Sequence, residues 1–376
     1  MRNGFKIIDC DRHVMEPPDM WDTYVDRPFR HYIGTIVPKE PIRRERFGGD
    51  AYWRGAFKHA VRRGYDNQSY IDDMDREGVD VGVLFSTAGL SFCWFEDLDP
   101  ELSAALCRAY NNWLHDYCSI APDRMLGMAL LPLQDPALAE KELRRAVCEL
   151  GLAGVFWRPN PHFGRTVSDP AYEPLLALAE ELNVPIGYHE GNTGEVPPHR
   201  GGGQDQMGFR WLGTGRVDTR FLLHAARHPM EQMAAFVSLA TDGVLDRHPN
   251  LRFAFLESGC GWLAYLLERL DVLYDVPAFR DGYAGQRKPS EYFTRGQCFI
   301  SCEAEEEGIP QLGRLVGENC LMWASDYPHH DAINYFPNTV APVLENERIP
   351  ETFKRKILFD NPARFYNLPV ASAVLV

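Results

Sequence analysis

The chain has 376 residues, 45% of them hydrophobic and 24% charged. That is the balance of a soluble globular protein, long enough for one large α/β barrel or two ordinary domains. A net charge of −14 sets the summed field against nucleic acid and anionic membrane surfaces as partners. No stretch approaches the roughly 20 apolar residues of a membrane span. Nine cysteines without a C-x-x-C pair suit a reducing compartment better than a disulfide framework. The N-terminus enters a strand-like run almost at once and lacks the apolar core and cleavage site of a secretory signal. The cytoplasm is therefore the expected location.

Short apolar or β-branched runs alternate with longer helix-patterned segments. Strands are expected near Phe5–Cys10, Val79–Phe85, Met125–Leu133, Leu152–Arg158, Val184–His189, Leu251–Glu257, Gln297–Glu303 and Cys320–Ser325. Helices are expected over Pro100–Ser119, Pro136–Leu150, Pro170–Leu182 and Met230–Asp246. Several open with Asp-Pro, which puts proline in the first turn. About eight strands alternating with helices over ~300 residues match a (β/α)8 TIM-like barrel better than two domains. The alternative, a doubly wound open sheet, lacks a G-x-G-x-x-G after the first strand.

Residues 1–376 are thus read as a single barrel domain with two departures from the alternation. The segment 27–70, rich in arginine and aromatics, is expected to be an excursion after strand 1, folded over the mouth or against a partner subunit. The segment 190–215 carries Gly201-Gly202-Gly203 and Gly213 and follows the strand that ends in His189. It is expected to be a mobile lid or substrate loop.

Three strand runs end in metal-ligand residue types: Phe5–Cys10 into Asp11-Arg12-His13, Val184–Tyr188 into His189, and Cys320–Ser325 into Asp326. Burying a carboxylate or imidazole without a partner is costly, so their convergence points to a divalent cation. Alternation along a strand predicts that Asp9, Asp11 and His13 share a face while Cys10 and Arg12 point away. Asp11 and His13 would then bind one cation together, with Asp9 behind them. Catalytic groups of parallel barrels sit at the C-terminal strand ends.

These motifs, with the closing Asn361-Pro362-Ala363-Arg364-Phe365-Tyr366, resemble the amidohydrolase superfamily along nearly the whole chain. The similarity is to the branch with aminocarboxymuconate-semialdehyde and resorcylate-type decarboxylases. It implies a metal-dependent TIM-like barrel with Asp11, His13, His189 and Asp326 as ligands. Two positions depart from the pattern. Asp11 replaces the first His or Glu, and Glu257 stands where the decarboxylases carry a catalytic His. His248 precedes that strand and is read as structural.

Asp11, Glu257 and Asp326, if ionised, set three negative charges against one dication and leave one negative charge in excess. Either Glu257 is protonated, which suits a general acid, or a second cation binds with Glu257 as a further ligand. Glu190, Glu303, His329 and His330 are further donors. A competing expectation pairs Glu257 with an arginine such as Arg158. Asp326, Glu257 and His329 form the expected catalytic set. Arg158 and Arg210 are candidate clamps for a substrate carboxylate, with surface salt bridges as the alternative. His224 is read as a substrate contact and His228 as a helix-start residue, since H-x-x-x-H lacks the internal Glu of a zincin.

The expected activity is cleavage of a small carboxylate-bearing substrate by decarboxylation or hydrolysis, with one or two zinc, manganese or iron ions. An alternative is a dinuclear iron or iron/manganese oxygenase that hydroxylates a small substrate, with or without a homologous partner. A second alternative is a structural subunit of such a complex. The excursion and the apolar tail Val370–Val376 lead us to expect a homo-oligomer, or a hetero-oligomer with a homologue.

Overall fold

The computed structural model describes residues 1–37, 55, 57–92, 95, 98–162, 164–189, 223–303, 305–329 and 336–369. Residues 38–54 and 56 of the expected excursion, the whole expected lid loop at 190–215 and the tail from 370 lie outside these.

Eight parallel strands follow one another in sequence order around one sheet. They are β1 (Ile8–His13), β2 (Val81–Phe85), β3 (Met125–Ala129), β4 (Gly154–Trp157), β5 (Ile186–His189), β6 (Phe253–Leu256), β7 (Cys298–Cys302) and β8 (Leu321–Trp323). A helix follows each: α1 (Asn67–Glu77), α2 (Pro100–Cys118), α3 (Pro136–Cys148), α4 (Glu173–Glu181), α5 (His228–Thr241), α6 (Trp262–Asp275), α7 (Ile309–Val316) and α8 (Asn361–Phe365). This is the (β/α)8 barrel expected from the alternation. Covered on both faces, its strands carry continuous apolar runs. The Asp-Pro starts work as anticipated. Asp99 accepts from the amides of Glu101 and Leu102 at 3.0 and 3.1 Å, and Asp135 from those of Ala137 and Leu138 at 2.8 and 3.1 Å. Such caps satisfy amides that the first helical turn leaves without partners.

The first strand differs from expectation. It begins at Ile8 rather than Phe5 and runs on through His13. Between Asp9 and Arg12 its register against β2 shifts, Asp9 pairing with Gly82 and Arg12 with Leu84. One extra residue on β1 breaks the alternation. Asp9 consequently does not share the face of Asp11 and His13. Instead it meets Arg12, whose Nη1 donates to Asp9 at 3.1 Å and to Glu77 of α1 at 2.8 Å. Gly82 makes room, since a Cβ there would lie 3.0 Å from Arg12 Cδ.

This buried ion cluster locks the seam where β8 returns to β1. Asp9 accepts from the backbone amide of Ser325 at 2.9 Å and from its hydroxyl at 2.5 Å. The Arg12 guanidinium lies 4.2 Å from the Tyr327 ring centroid, and the Tyr327 hydroxyl donates to Asp73 at 2.5 Å. Backbone bonds complete the closure: Asp326 N to Asp11 O at 3.1 Å and His13 N to Tyr327 O at 2.7 Å. Burial pushes the Asp9 carboxyl up, against the pull of Arg12 and Ser325. Deleting Arg12 strands two buried carboxylates. Arg12→Ala is therefore expected to lower unfolding free energy by about 3–5 kcal/mol, read from the urea midpoint. A midpoint equal to that of the parent chain would show that the seam does not depend on this cation.

Candidate metal centre at the barrel mouth

The tips of β1, β5, β6 and β8 deliver their polar side chains to one small volume. His13 Nε2 stands 3.0 Å from His189 Nε2, 3.3 Å from Asp326 Oδ1 and 3.7 Å from Asp11 Oδ1. His189 Nε2 is 3.4 Å from Asp11 Oδ2 and 3.1 Å from Glu257 Oε2. Asp11, His13, His189 and Asp326 are all buried to 2% exposure or less. Phe85 and Phe156 form an apolar floor, their ring centroids 5.3 and 5.8 Å from that of His189. Gly187 admits the Phe85 ring, which a Cβ would meet at 3.2 Å.

The loop after β2 fixes the chemistry of His13. Its Nδ1 lies 3.0 Å from the Ser86 carbonyl oxygen. A carbonyl only accepts, so Nδ1 carries the hydrogen and Nε2 of the neutral ring turns a lone pair toward the other donors. Buried Glu16 holds that loop, accepting from the Ser86 hydroxyl at 2.5 Å and from the amides of Thr87 and Ala88 at 3.1 and 3.0 Å. Burial pushes the Glu16 carboxyl up despite these bonds. Glu257 and Asp326 both take left-handed backbone, with φ of 47° and 53°. That conformation is uncommon for residues other than glycine, and such strain collects at functional sites.

The donor set suits a first-row divalent cation. Ligands about 2.0–2.2 Å from a common centre stand roughly 3–3.6 Å apart, close to the spacings above. Acceptors packed this closely repel unless a proton or cation lies among them. Among the described residues no hydrogen-bond partner reaches buried Asp11 Oδ1.

His329 and His224 also reach the mouth. His329 Nδ1 is 2.9 Å from Asp326 Oδ1, its Nε2 is 3.1 Å from Thr87 Oγ1, and its ring stacks on His13 at 3.8 Å. His224, His228 and Glu257 each offer a donor atom, all within 4.8 Å of one another. His228 does open α5, as expected, but its Nδ1 also lies 3.0 Å from the Glu257 carbonyl. Burial, then the nearby His224 and Arg227, lower its basicity well below the usual imidazole range. Arg158 is buried at the tip of β4, its Nη2 donating to the Pro161 carbonyl at 2.5 Å. Arg210, Glu190 and His330 lie outside the described residues. His248 sits at the far end of the barrel between Glu180 and Glu173, 3.1 and 3.0 Å away, in the structural role expected of it.

Sequence reasoning missed Glu16, Ser86 and Thr87 and gave His228 no place in the cluster. Ser86 and Thr87 follow a barrel strand directly, which is where such residues belong. The i, i+4 spacing of His224 and His228 was also visible.

A parallel eight-stranded barrel with a buried carboxylate–imidazole cluster at its C-terminal mouth defines the class. The chain matches the amidohydrolase family over residues 8–368 and belongs to that family. It is 27% identical over 309 residues to 2-amino-3-carboxymuconate-6-semialdehyde decarboxylase of Dictyostelium discoideum, covering 81% of this chain and 77% of that one. It is 29% identical over 283 residues to gamma-resorcylate decarboxylase of Rhodococcus jostii, covering 72% and 79%. A crystal structure of 5-carboxyvanillate decarboxylase from Novosphingobium aromaticivorans, complexed with manganese and 4-hydroxy-3-methoxy-5-nitrobenzoic acid, superposes with a TM-score of 0.67. That match spans 98% of this chain and 97% of the other at 21% identity, and shows a shared fold.

An ion that binds only the folded chain stabilises it by about 2.7 kcal/mol at a hundredfold excess over its dissociation constant. Exhaustive chelation is thus expected to lower the melting temperature by several degrees, with manganese restoring it. A melting temperature indifferent to both would show that these donors satisfy one another without an ion.

Proposed function

We propose that the chain is a carboxy-lyase that removes the carboxyl group of a small aromatic carboxylate at a cation-bearing barrel mouth. The observation that carries this reading is the convergence of Asp11, His13, His189 and Asp326 on one buried volume, with Glu257 beside them. The decarboxylases of Dictyostelium and Rhodococcus named above support the reaction type. They lend no support to the oxygenase alternative or to hydrolysis in particular. A subunit with only a structural role has no need of this donor set.

Asp11, His13, His189 and Asp326 would hold the cation, which we take to be manganese. When bound, it draws charge from a substrate oxygen and so eases formation of a carbanion-like transition state. Arg158, on the strand beside β5, offers a guanidinium suited to gripping a carboxylate or phenolate in a bidentate pair. The bond from ring to carboxyl carbon breaks, carbon dioxide leaves, and the electron pair stays on the ring carbon. Glu257 returns a proton to that carbon as general acid. His329 orients Asp326 from one side while Thr87 fixes His329 from the other. Phe85 and Phe156 keep bulk water from the floor. We place the enzyme in the cytoplasm as an oligomer on the sequence grounds above.

One observation favours a second reading of the ion count. Among the described residues, buried His228 Nε2 meets no hydrogen-bond partner beside His224 and Glu257. Its Nδ1 faces a carbonyl, so Nε2 presents a lone pair there. A second cation at that place would be held by His224, His228 and Glu257 and would offset the excess negative charge, leaving proton transfer to Asp326 and His329.

Elemental analysis of chain purified without added metal, with carbon dioxide release from a panel of hydroxybenzoates, tests the proposal. Asp326→Ala is expected to lose both metal and turnover, and a metal-replete, active variant removes Asp326 from the centre. Glu257→Gln is expected to keep the ion and lose about 10²–10⁴-fold in kcat. Two ions per chain in the parent, reduced to one by His228→Gln, would favour the second reading.

A further inference from the structure

At the opposite end of the barrel lies a cavity of about 570 Å³, well within the usual size of small-molecule sites. It opens where the chain enters β5, β6 and β7, far from the strand ends that carry the cluster. Among the described residues four arginines line it, Arg252, Arg287, Arg295 and Arg364, against one carboxylate in the wall, Glu180. Glu180 is already engaged, accepting from the Asn250 amide at 2.8 Å and facing His248 Nδ1 at 3.1 Å. In a chain of net charge −14, such a concentration of positive charge calls for an explanation.

The partners of these arginines are mostly neutral. Arg252 donates to the Asn183 side-chain oxygen at 2.8 Å and to the carbonyls of Phe365 and Asn183 at 3.0 and 3.2 Å. Arg364 donates to the Asn319 carbonyl and lies 5.1 Å from the Phe299 ring centroid. Arg287 is paired with Asp246 outside the lining. Among the described residues the Arg295 side chain makes neither a hydrogen bond nor an ion pair. Burial, then the charge of Arg364, hold the Arg252 guanidinium below its ordinary range. Gly296 admits Arg364 to the wall, because a Cβ there would meet its guanidinium carbon at 2.9 Å.

We propose that this cavity binds a small anion carrying two or more phosphate groups, held by Arg252, Arg295 and Arg364. Guanidinium groups match phosphate oxygens in bidentate pairs, and a multivalent anion relieves the repulsion among them. Glu180, with its acceptors occupied, sets one edge of the site and disfavours anions that approach from that side. The site is separate from the barrel mouth and stands independently of the reaction assigned there.

Isothermal titration of the full chain with inorganic pyrophosphate tests it, with citrate as the carboxylate comparison. Saturable one-to-one binding that weakens with added salt is expected, with citrate binding more weakly. Arg364→Gln and Arg295→Gln are each expected to weaken pyrophosphate binding by about tenfold. Ion content and carbon dioxide release should stay at parental values. Arg295→Gln guards against a folding artefact, since among the described residues its side chain has no bond to lose. Absence of saturable binding overturns the proposal. So does binding that both variants leave unchanged, which would assign the heat to the cation at the mouth. Citrate binding as tight as pyrophosphate overturns the phosphate assignment.

Discussion

Crowding three carboxylates and two imidazole lone pairs into one buried volume, with neighbouring donors 3.0–3.7 Å apart, is electrostatically unfavourable, and the mouth of this barrel is organised around that repulsion. Asp11, Glu257 and Asp326 come from three different strands, so no local rearrangement of one segment relieves the crowding. A cation among them reverses the sign of the interaction. The strain then becomes binding energy, and the folded barrel and the ion stabilise each other.

The supports are spread through the fold. Glu16 holds the loop after β2, that loop sets the His13 tautomer through Ser86, and Thr87 steadies His329. On the other side, Asp9 and Arg12 pin Ser325 directly before Asp326. The two carboxylate-bearing tips at Glu257 and Asp326 are bent into left-handed backbone, which turns their side chains inward without lengthening the strand. His228 bonds the Glu257 carbonyl and so belongs to this scaffolding whichever ion count holds.

The barrel was legible because its strands are apolar on both faces and several of its helical segments open with Asp-Pro, two signals that depend on local chemistry alone. The residues gathered at the mouth were legible for a related reason: Asp11, His13, His189 and Asp326 interrupt apolar runs where nothing local accounts for them. The position of Asp9 was not. A bulge depends on which residue of β1 pairs with which residue of β2, and strict alternation misassigns every residue before it. Ser86 and Thr87 stand visibly after a strand, but their role and that of Glu16 exist only once β1 and β2 are adjacent. The arginine-lined cavity assembles residues from 180 to 364, a grouping that only the closed barrel brings about.

The extra residue in β1 has a consequence for how this strand tolerates change. Within three positions, one chain segment feeds two electrically distinct compartments, Asp11 toward the mouth and Asp9 toward the arginine behind the wall. Their boundary is a single peptide unit, Cys10, whose carbonyl accepts from the Tyr366 hydroxyl at 2.7 Å. The turn that closes α8 therefore clamps the partition between the two compartments. The mouth and the outer wall are not separately adjustable, because any drift in the register of β1 moves an acid from one side to the other.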